Sequence, residues 1–263
     1  MDKKYCIFLD IDGTLIGESD KAFEKNLDTI RKVRSLGHKV FVSTGRATAY
    51  LPLKLKISEN FDGVISGAGA VSKVGDKEVF KSFMPHTIVE KYCQFAFENR
   101  LPAILEGQNN MYHFGFAEGF MEDSLKIAVE DRWVKLDEKN ISQILTPNVP
   151  IEKFTVLGEI PKELDNVLGD NCVVLRFSNY GEILQKSRGK GKALLEIVEI
   201  LDIPVERSIA MGDSMNDYDM IKTAGIGVAM GNAPDELKNI ADMVTDGVDD
   251  AGVSTALAKI FKL

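Results

Sequence analysis

The chain alternates between strand-like and helix-like hydrophobic periods, loses that alternation near residue 70 and recovers it after Gly181. Tyr5-Cys6-Ile7-Phe8-Leu9 is an apolar run of the kind needed by a strand buried on both faces. From Asp20 to Leu36, residues Phe23, Leu27, Ile30 and Val33 share one helical stripe, and Gly37 is placed to end it. Lys39–Val42 reads as the next strand, Ala47–Ile57 as the next helix and Gly63–Ile65 as a third strand. Such β-α-β-α order predicts a parallel sheet with helices on both faces. After Gly181 the pattern resumes with helices at Lys190–Leu201, Tyr218–Thr223, Asp235–Ile240 and Ala251–Phe261. The strands between them are Arg207–Met211, Ile226–Ala229 and Met243–Val244.

The interruption has its own grammar. Val71–Val74 and Lys77–Phe80 flank Gly75-Asp76, a hairpin signal, and Pro85 suits the first turn of a helix running to about Asn99. Short strands are expected at Leu101–Leu105, Met111–Phe114, Phe154–Leu157 and Val173–Phe177, with Asn109-Asn110 turning between two of them. This predicts an α+β module, 83–182, inserted into a core made of 1–82 and 183–263. A length of 263 residues accommodates two modest domains.

Composition narrows the function. The formal charge of -8 argues against a general affinity for nucleic acid or anionic membrane, which need a positive field. No stretch approaches the roughly 18 apolar residues of a membrane span, and no signal peptide is visible. Cys6, Cys93 and Cys172 are odd in number and scattered, which fits a reducing cytoplasm. His38, His86 and His113 are equally scattered, so no zinc site is expected.

Four motifs carry chemistry. In Phe8-Leu9-Asp10-Ile11-Asp12-Gly13-Thr14 two carboxylates stand where an apolar strand ends, the edge that borders the ligand crevice of a parallel sheet. Two acids there repel each other unless a cation or shared proton intervenes; the plain alternative is a solvated Asp-Gly turn. Val42-Ser43-Thr44-Gly45-Arg46 offers a hydroxyl and backbone N–H groups to an anion, or simply caps a helix. Ser187-Arg188-Gly189-Lys190-Gly191-Lys192 puts lysine at a helix start, against the macrodipole, which makes sense if it reaches for an anion; otherwise it is a basic surface loop. Met211-Gly212-Asp213-Ser214-Met215-Asn216-Asp217 brings oxygen donors onto a turn entering a helix, a set that suits Mg²⁺, or else forms an acidic cap.

In this order the motifs resemble those of the haloacid dehalogenase superfamily of phosphohydrolases, and within it the Cof-type sugar-phosphatase group. The resemblance spans the whole chain. Two departures stand out: Ala68-Gly69-Ala70 where the group usually has Asn-Gly-Ala, and Gly189 before Lys190 where Ser is common. The resemblance implies a Rossmann-like doubly wound α/β core with an inserted α+β cap of the C2 type. It implies a Mg²⁺-dependent phosphatase of small phosphorylated metabolites. Asp10 would be the nucleophile that forms an aspartyl-phosphate, and Asp12 the proton donor and acceptor. Thr44, Gly45, Lys190 and Asn216 would hold the phosphoryl oxygens. The metal would be held by Asp10, the Asp12 carbonyl and Asp213, with Asp217 behind them. Lys192 competes with Lys190, but the group's Lys-Gly-x-Ala-Leu falls on Lys190 to Leu194.

Two rival readings share the scaffold. A phosphotransferase or sugar-phosphate mutase needs a basic cluster in the insert for a second phosphate, for which Lys153 and Arg176 are candidates. A non-catalytic binder of phosphorylated metabolites would be expected to lack Asp10, Asp12 or Lys190, and the chain has all three. Substrate choice is expected to lie in the insert, where Glu106, Asn109, His113 and Arg176 offer polar groups to a leaving alcohol. Nothing in the sequence fixes an oligomeric state.

Overall fold

The computed structural model describes residues 4–121, 132–137, 139–144 and 146–263. In chain order its strands are β1 (Cys6–Leu9), β2 (Lys39–Ser43), β3 (Gly63–Ser66), β4 (Val71–Val74) and β5 (Lys77–Lys81). Then follow β6 (Ala103–Gly107), β7 (Met111–Phe114), β8 (Trp133–Leu136), β9 (Ile151–Leu157), β10 (Cys172–Arg176) and β11 (Tyr180–Gln185). The last are β12 (Ser208–Gly212), β13 (Ile226–Ala229) and β14 (Met243–Val244). Among the described residues they form two sheets, ordered β14-β13-β12-β1-β2-β3-β4-β5 and β10-β11-β9-β6-β7-β8.

The chain divides into two compact units, one made of residues through Gly45, Leu53–Phe80 and Gly189–Leu263, the other of Arg46–Pro52 and Lys81–Arg188. In the first, β1 lies parallel between β2 and β12, with Leu9 opposite both Val42 and Met211. The parallel order continues through β3 and β13 to β14, and β4 turns back antiparallel to β3, as the Gly75-Asp76 hairpin predicts. Both faces are covered, which is why the strands are apolar without alternation. Phe8, Phe41 and Ile65 on one face pack with Ala193, Leu194, Ile197, Met220 and Leu237 from three helices. The expected Asp20 helix ends at Ser35, ahead of Gly37 at φ +89°, and is joined to the final helix through Asn26, which accepts from Ser254 N–H at 2.9 Å. This is the doubly wound α/β core the sequence predicts.

The expected helix over Ala47–Ile57 does not form. The segment makes single turns at Thr48–Tyr50 and Leu53–Leu55, then a short helix at Ile57–Asn60. Pro52 is the cause. It has no N–H to give a helix and steers its predecessor out of helical space, and Leu51 is extended at φ -70°, ψ 130°.

The second unit is a sheet with helices on one face. Tyr92 from the His86–Glu98 helix stacks on Phe154 with ring centroids 4.0 Å apart, beside Leu105, Val156 and Leu164. Its limits differ from the expected ones at two places. The expected return to the core at 182/183 falls inside β11, which pairs antiparallel with β9 and β10, so this sheet keeps the chain through Gln185. Residues 46–52 also belong here: Thr48 N–H meets the Glu152 carboxylate at 3.2 Å from each oxygen, and Ala49 packs with Ile104 and Met111. No helix of the described residues is long and apolar enough to cross a membrane.

Gly69 lies where the β3–β4 connection meets the start of the Lys190 helix. At φ +94°, an added Cβ would sit 2.5 Å from the Gly189 carbonyl oxygen. Gly75, at φ +56°, has nothing within 4 Å of that position. Gly69→Ala should therefore cost about 2 kcal/mol or more, and Gly75→Ala about 1 kcal/mol from backbone conformation alone. Equilibrium urea unfolding of the two variants checks the order; a Gly69→Ala loss no larger than that of Gly75→Ala contradicts the close approach.

Candidate active site

Asp10 continues the β1 ladder by one residue, its N–H bonded to the Met211 carbonyl at 3.0 Å. That places its side chain at the carboxyl edge of the parallel sheet, almost wholly buried. Lys190, equally buried, comes from the first residue of its helix. Its ammonium donates to Asp10 Oδ1 at 2.6 Å, to Asp217 Oδ1 at 2.6 Å and to Asn216 Oδ1 at 3.2 Å. Lys192 is exposed, so of the two candidate lysines it is Lys190 that the fold brings to the acids.

A lysine at a helix start opposes the macrodipole. Asp219 corrects this locally, its Oδ2 accepting from Gly191 N–H at 2.9 Å. Asp217 is engaged on both oxygens. Oδ1 meets Lys190, and Oδ2 accepts from the N–H groups of Asp213 and Ser214 at 3.1 Å each, closing a capping box with Ser214. Gly212 is held to glycine by the same side chain, since a Cβ there would lie 2.4 Å from the Asp217 carboxyl carbon.

Asp213 completes the group. Carboxylate oxygens of Asp10, Asp213 and Asp217 all lie within 4.8 Å of one another. Thr14 donates to Asp213 Oδ1 at 3.0 Å. Thr14 was not among the expected site residues, although it stands inside the quoted Asp-x-Asp-Gly-Thr run; its role needs a partner far along the chain, which no local pattern records. Asp12 lies beyond the strand end and is exposed, and its charge adds to those pushing up the Asp213 pKa. Thr44 follows β2, beside β1, its N–H bonded to the Ile65 carbonyl at 2.9 Å and its own carbonyl accepting from Ala68 N–H at 3.0 Å. Gly45 comes next and is half-buried.

The charges do not balance. Among the described residues, one ammonium faces three carboxylates. Burial first, then the neighbouring Asp217 and Asp213, push the Asp10 carboxyl well above the usual range, against the pull of Lys190. Asp213 is pushed up to about 6 by burial and by Asp217. The same carboxylates hold Lys190 charged, above the usual lysine range despite its burial.

In the second unit, Glu106 and His113 are buried on the sheet face opposite the helices. Glu106 accepts from Thr155 Oγ1 at 2.5 Å and pairs with Lys153 at 3.5 Å; Lys153 also pairs with Glu182 at 2.5 Å. Arg176 points instead to Asp165, at 2.7 Å, and Asn109 is exposed in the β6–β7 turn. The four expected side chains therefore do not form one cluster.

The model of the haloacid dehalogenase-like hydrolase family matches residues 7–257. The chain is 26% identical over 267 residues to the 5-amino-6-(5-phospho-D-ribitylamino)uracil phosphatase YitU of Bacillus subtilis, with 99% of each chain covered. It is 28% identical to the phosphatase YwpJ of the same organism, over 94% of this chain and 96% of that one. The solved structure of the HAD subclass IIB sugar phosphatase BT4131 superposes with a TM-score of 0.80 at 26% identity, covering 98% of this chain and 99% of the other.

A carboxyl whose folded pKa is raised favours the folded state below its unfolded pKa and loses that advantage as pH rises through the folded value. For Asp213 the window runs from the ordinary value of 3.8 to about 6. In chelator, Asp213→Asn should gain stability over the parent between pH 4 and pH 7. The gain is about 1 kcal/mol, discounted because the carboxyl is partly open to solvent. Urea unfolding of both proteins across that range checks it; a constant difference means the group titrates normally.

Proposed function

The chain belongs to the haloacid dehalogenase-like hydrolase family, and on that footing we propose that it is a Mg²⁺-dependent phosphatase of small phosphorylated metabolites, sugar phosphates first among them. The observation that carries the reading is the Lys190 ammonium held between Asp10 and Asp217 at the sheet edge, with an Asp213 carboxylate oxygen within 4.8 Å of one from each of these acids.

The residues fit a hard divalent cation. The donors are all oxygen, and the excess of carboxylates over ammonium is what such an ion offsets. Asp10, Asp213 and the Asp12 carbonyl would hold it. Asp217, spent on Lys190 and two backbone N–H groups, supports from behind. When bound, the ion supplies positive charge that keeps Asp10 ionised and offsets the phosphoryl oxygens.

An Asp10 oxygen attacks phosphorus, the bond to the leaving oxygen breaks, and Asp12 gives that oxygen a proton. Asp12, exposed, then takes a proton from the water that opens the aspartyl-phosphate, returning Asp10 and releasing phosphate. Lys190 contributes fixed charge, and Thr44, Gly45 and Asn216 supply donors to the phosphoryl oxygens. Positioned charge of this kind is what phosphate monoesters need, given their slow spontaneous hydrolysis.

The rival mutase reading is disfavoured by the state of its two cations. Lys153 is buried in ion pairs with Glu106 and Glu182, and Arg176 lies apart in an exposed pair with Asp165, so the two do not make the basic cluster a second phosphate needs. The free thiols of Cys6, Cys93 and Cys172 suit a reducing compartment such as the cytoplasm.

A screen of phosphorylated metabolites with Mg²⁺, read as released phosphate, tests the activity. Asp10→Asn should lower turnover at least 1,000-fold, in the range seen when a nucleophile is removed. Its folding should be intact by circular dichroism, because Asn still accepts from Lys190. Hydrolysis above a few per cent of the parent's would remove Asp10 from the nucleophile's role. Turnover should also vanish in chelator and return with Mg²⁺; full activity in metal-free protein contradicts the metal's part.

A further inference from the structure

The turn after β1 carries Asp12 and has to keep its shape around a glycine. The Ile11 carbonyl accepts from the N–H groups of Leu15 at 2.9 Å and Ile16 at 2.8 Å, and Gly13 N–H donates to the Ile16 carbonyl at 2.9 Å. Gly13 itself stands at φ +77°, where an added Cβ would come within 2.2 Å of Asp213 Oδ2. A side chain is excluded there, and with it the conformational restraint a side chain brings.

The restraint comes from the far end of the sequence. Asn232 Nδ2 donates to the Gly13 carbonyl at 2.9 Å, while its Oδ1 accepts from Val248 N–H at 3.0 Å. The two residues before it are anchored to different segments, Met230 N–H to the Gly212 carbonyl and Gly231 N–H to the Asp246 carbonyl, each at 3.0 Å. Asp249 adds a second tie, its Oδ1 accepting from Glu18 N–H at 2.7 Å and Ser19 N–H at 2.8 Å. One short side chain thus spans from the Asp12 turn to a post built on the strand end that carries Asp213.

We infer that Asn232 is a positioning residue for the reaction: its amide fixes the peptide plane after Gly13 and so keeps the Asp12 carboxyl where a leaving oxygen can take its proton. This rests on the reading of Asp12 as proton donor. Fixing the plane matters because a misplacement of about 1 Å can cost roughly 100-fold in rate, whereas one exposed neutral hydrogen bond contributes only about 1 kcal/mol to stability. A strut that merely supports the fold would lower all turnover alike. A positioning residue has a selective effect, large where the leaving group needs a proton and small where it does not.

The test uses the full chain with Mg²⁺, the alkyl phosphate it hydrolyses fastest and p-nitrophenyl phosphate, comparing Asn232→Ala, Asn232→Asp and Asp12→Asn. Asn232→Asp keeps the acceptor for Val248 N–H and loses the donor to Gly13, so it separates the tether from the fold. Both Asn232 variants should lose about 10- to 100-fold in kcat on the alkyl ester and no more than about 3-fold on the aryl ester. KM should stay within about 3-fold and the melting temperature within a few degrees. Equal losses on the two esters, no loss at all, or failure of both variants to fold would overturn the role of Asn232. If those results come with an alkyl-selective loss in Asp12→Asn, the reading of Asp12 stands and only Asn232 falls. An unselective Asp12→Asn removes Asp12 as the proton donor and this role of Asn232 with it.

Discussion

The buried ammonium of Lys190 is the group on which the rest of the first unit's edge depends. It touches Asp10 just past the end of β1 and Asp217 from the turn after β12, so it ties together the ends of two strands that meet only in the folded sheet. A buried pair of this kind adds little net stability against apolar residues of the same shape, and removing one partner alone costs about 3–5 kcal/mol. Its value is specificity of place. Asp217 extends the tie by capping the turn that presents Asp213, so the same carboxylate sets both the lysine and the next acid.

Strain in this region is of two kinds. The charge imbalance, together with burial, raises the proton affinity of Asp10 and Asp213. The steric kind is fixed: Gly13 and Gly212 exist as glycines because carboxylates fill the space of their missing side chains. Ala68 is a third case, at φ +52° with a side chain present, in the run where the family resemblance leads to an expectation of asparagine. Asparagine tolerates the left-handed region better than alanine, so this chain carries a local cost there.

The parallel character of the sheet and the acidic edge were legible because strand, turn and helix leave short-range marks. An apolar run ending in Asp10 is such a mark, and so is Gly212-Asp213 before a helix. The Thr48–Leu55 turns were missed because Pro52 outweighs a helical pattern only at its own position and the one before it. The Glu106–Lys153–Glu182 array was also out of reach, since it exists only once β6, β9 and β11 are in register. For the same reason Thr14 and Asn232 gave no signal: their partners, Asp213 and Gly13, lie far away in the chain.

The pairing of β1 with β12 has a consequence for how the molecule comes into being. The first strand made finds one of its two neighbours, β2, at once, and the other only when Ser208–Gly212 has been synthesised. The whole of the second unit's sheet, β6 to β11, lies between them in the chain and finds its strand partners without waiting. Contacts so distant in sequence close late and slowly. Until then the apolar strand Cys6–Leu9 is an open edge on the side that β12 will fill.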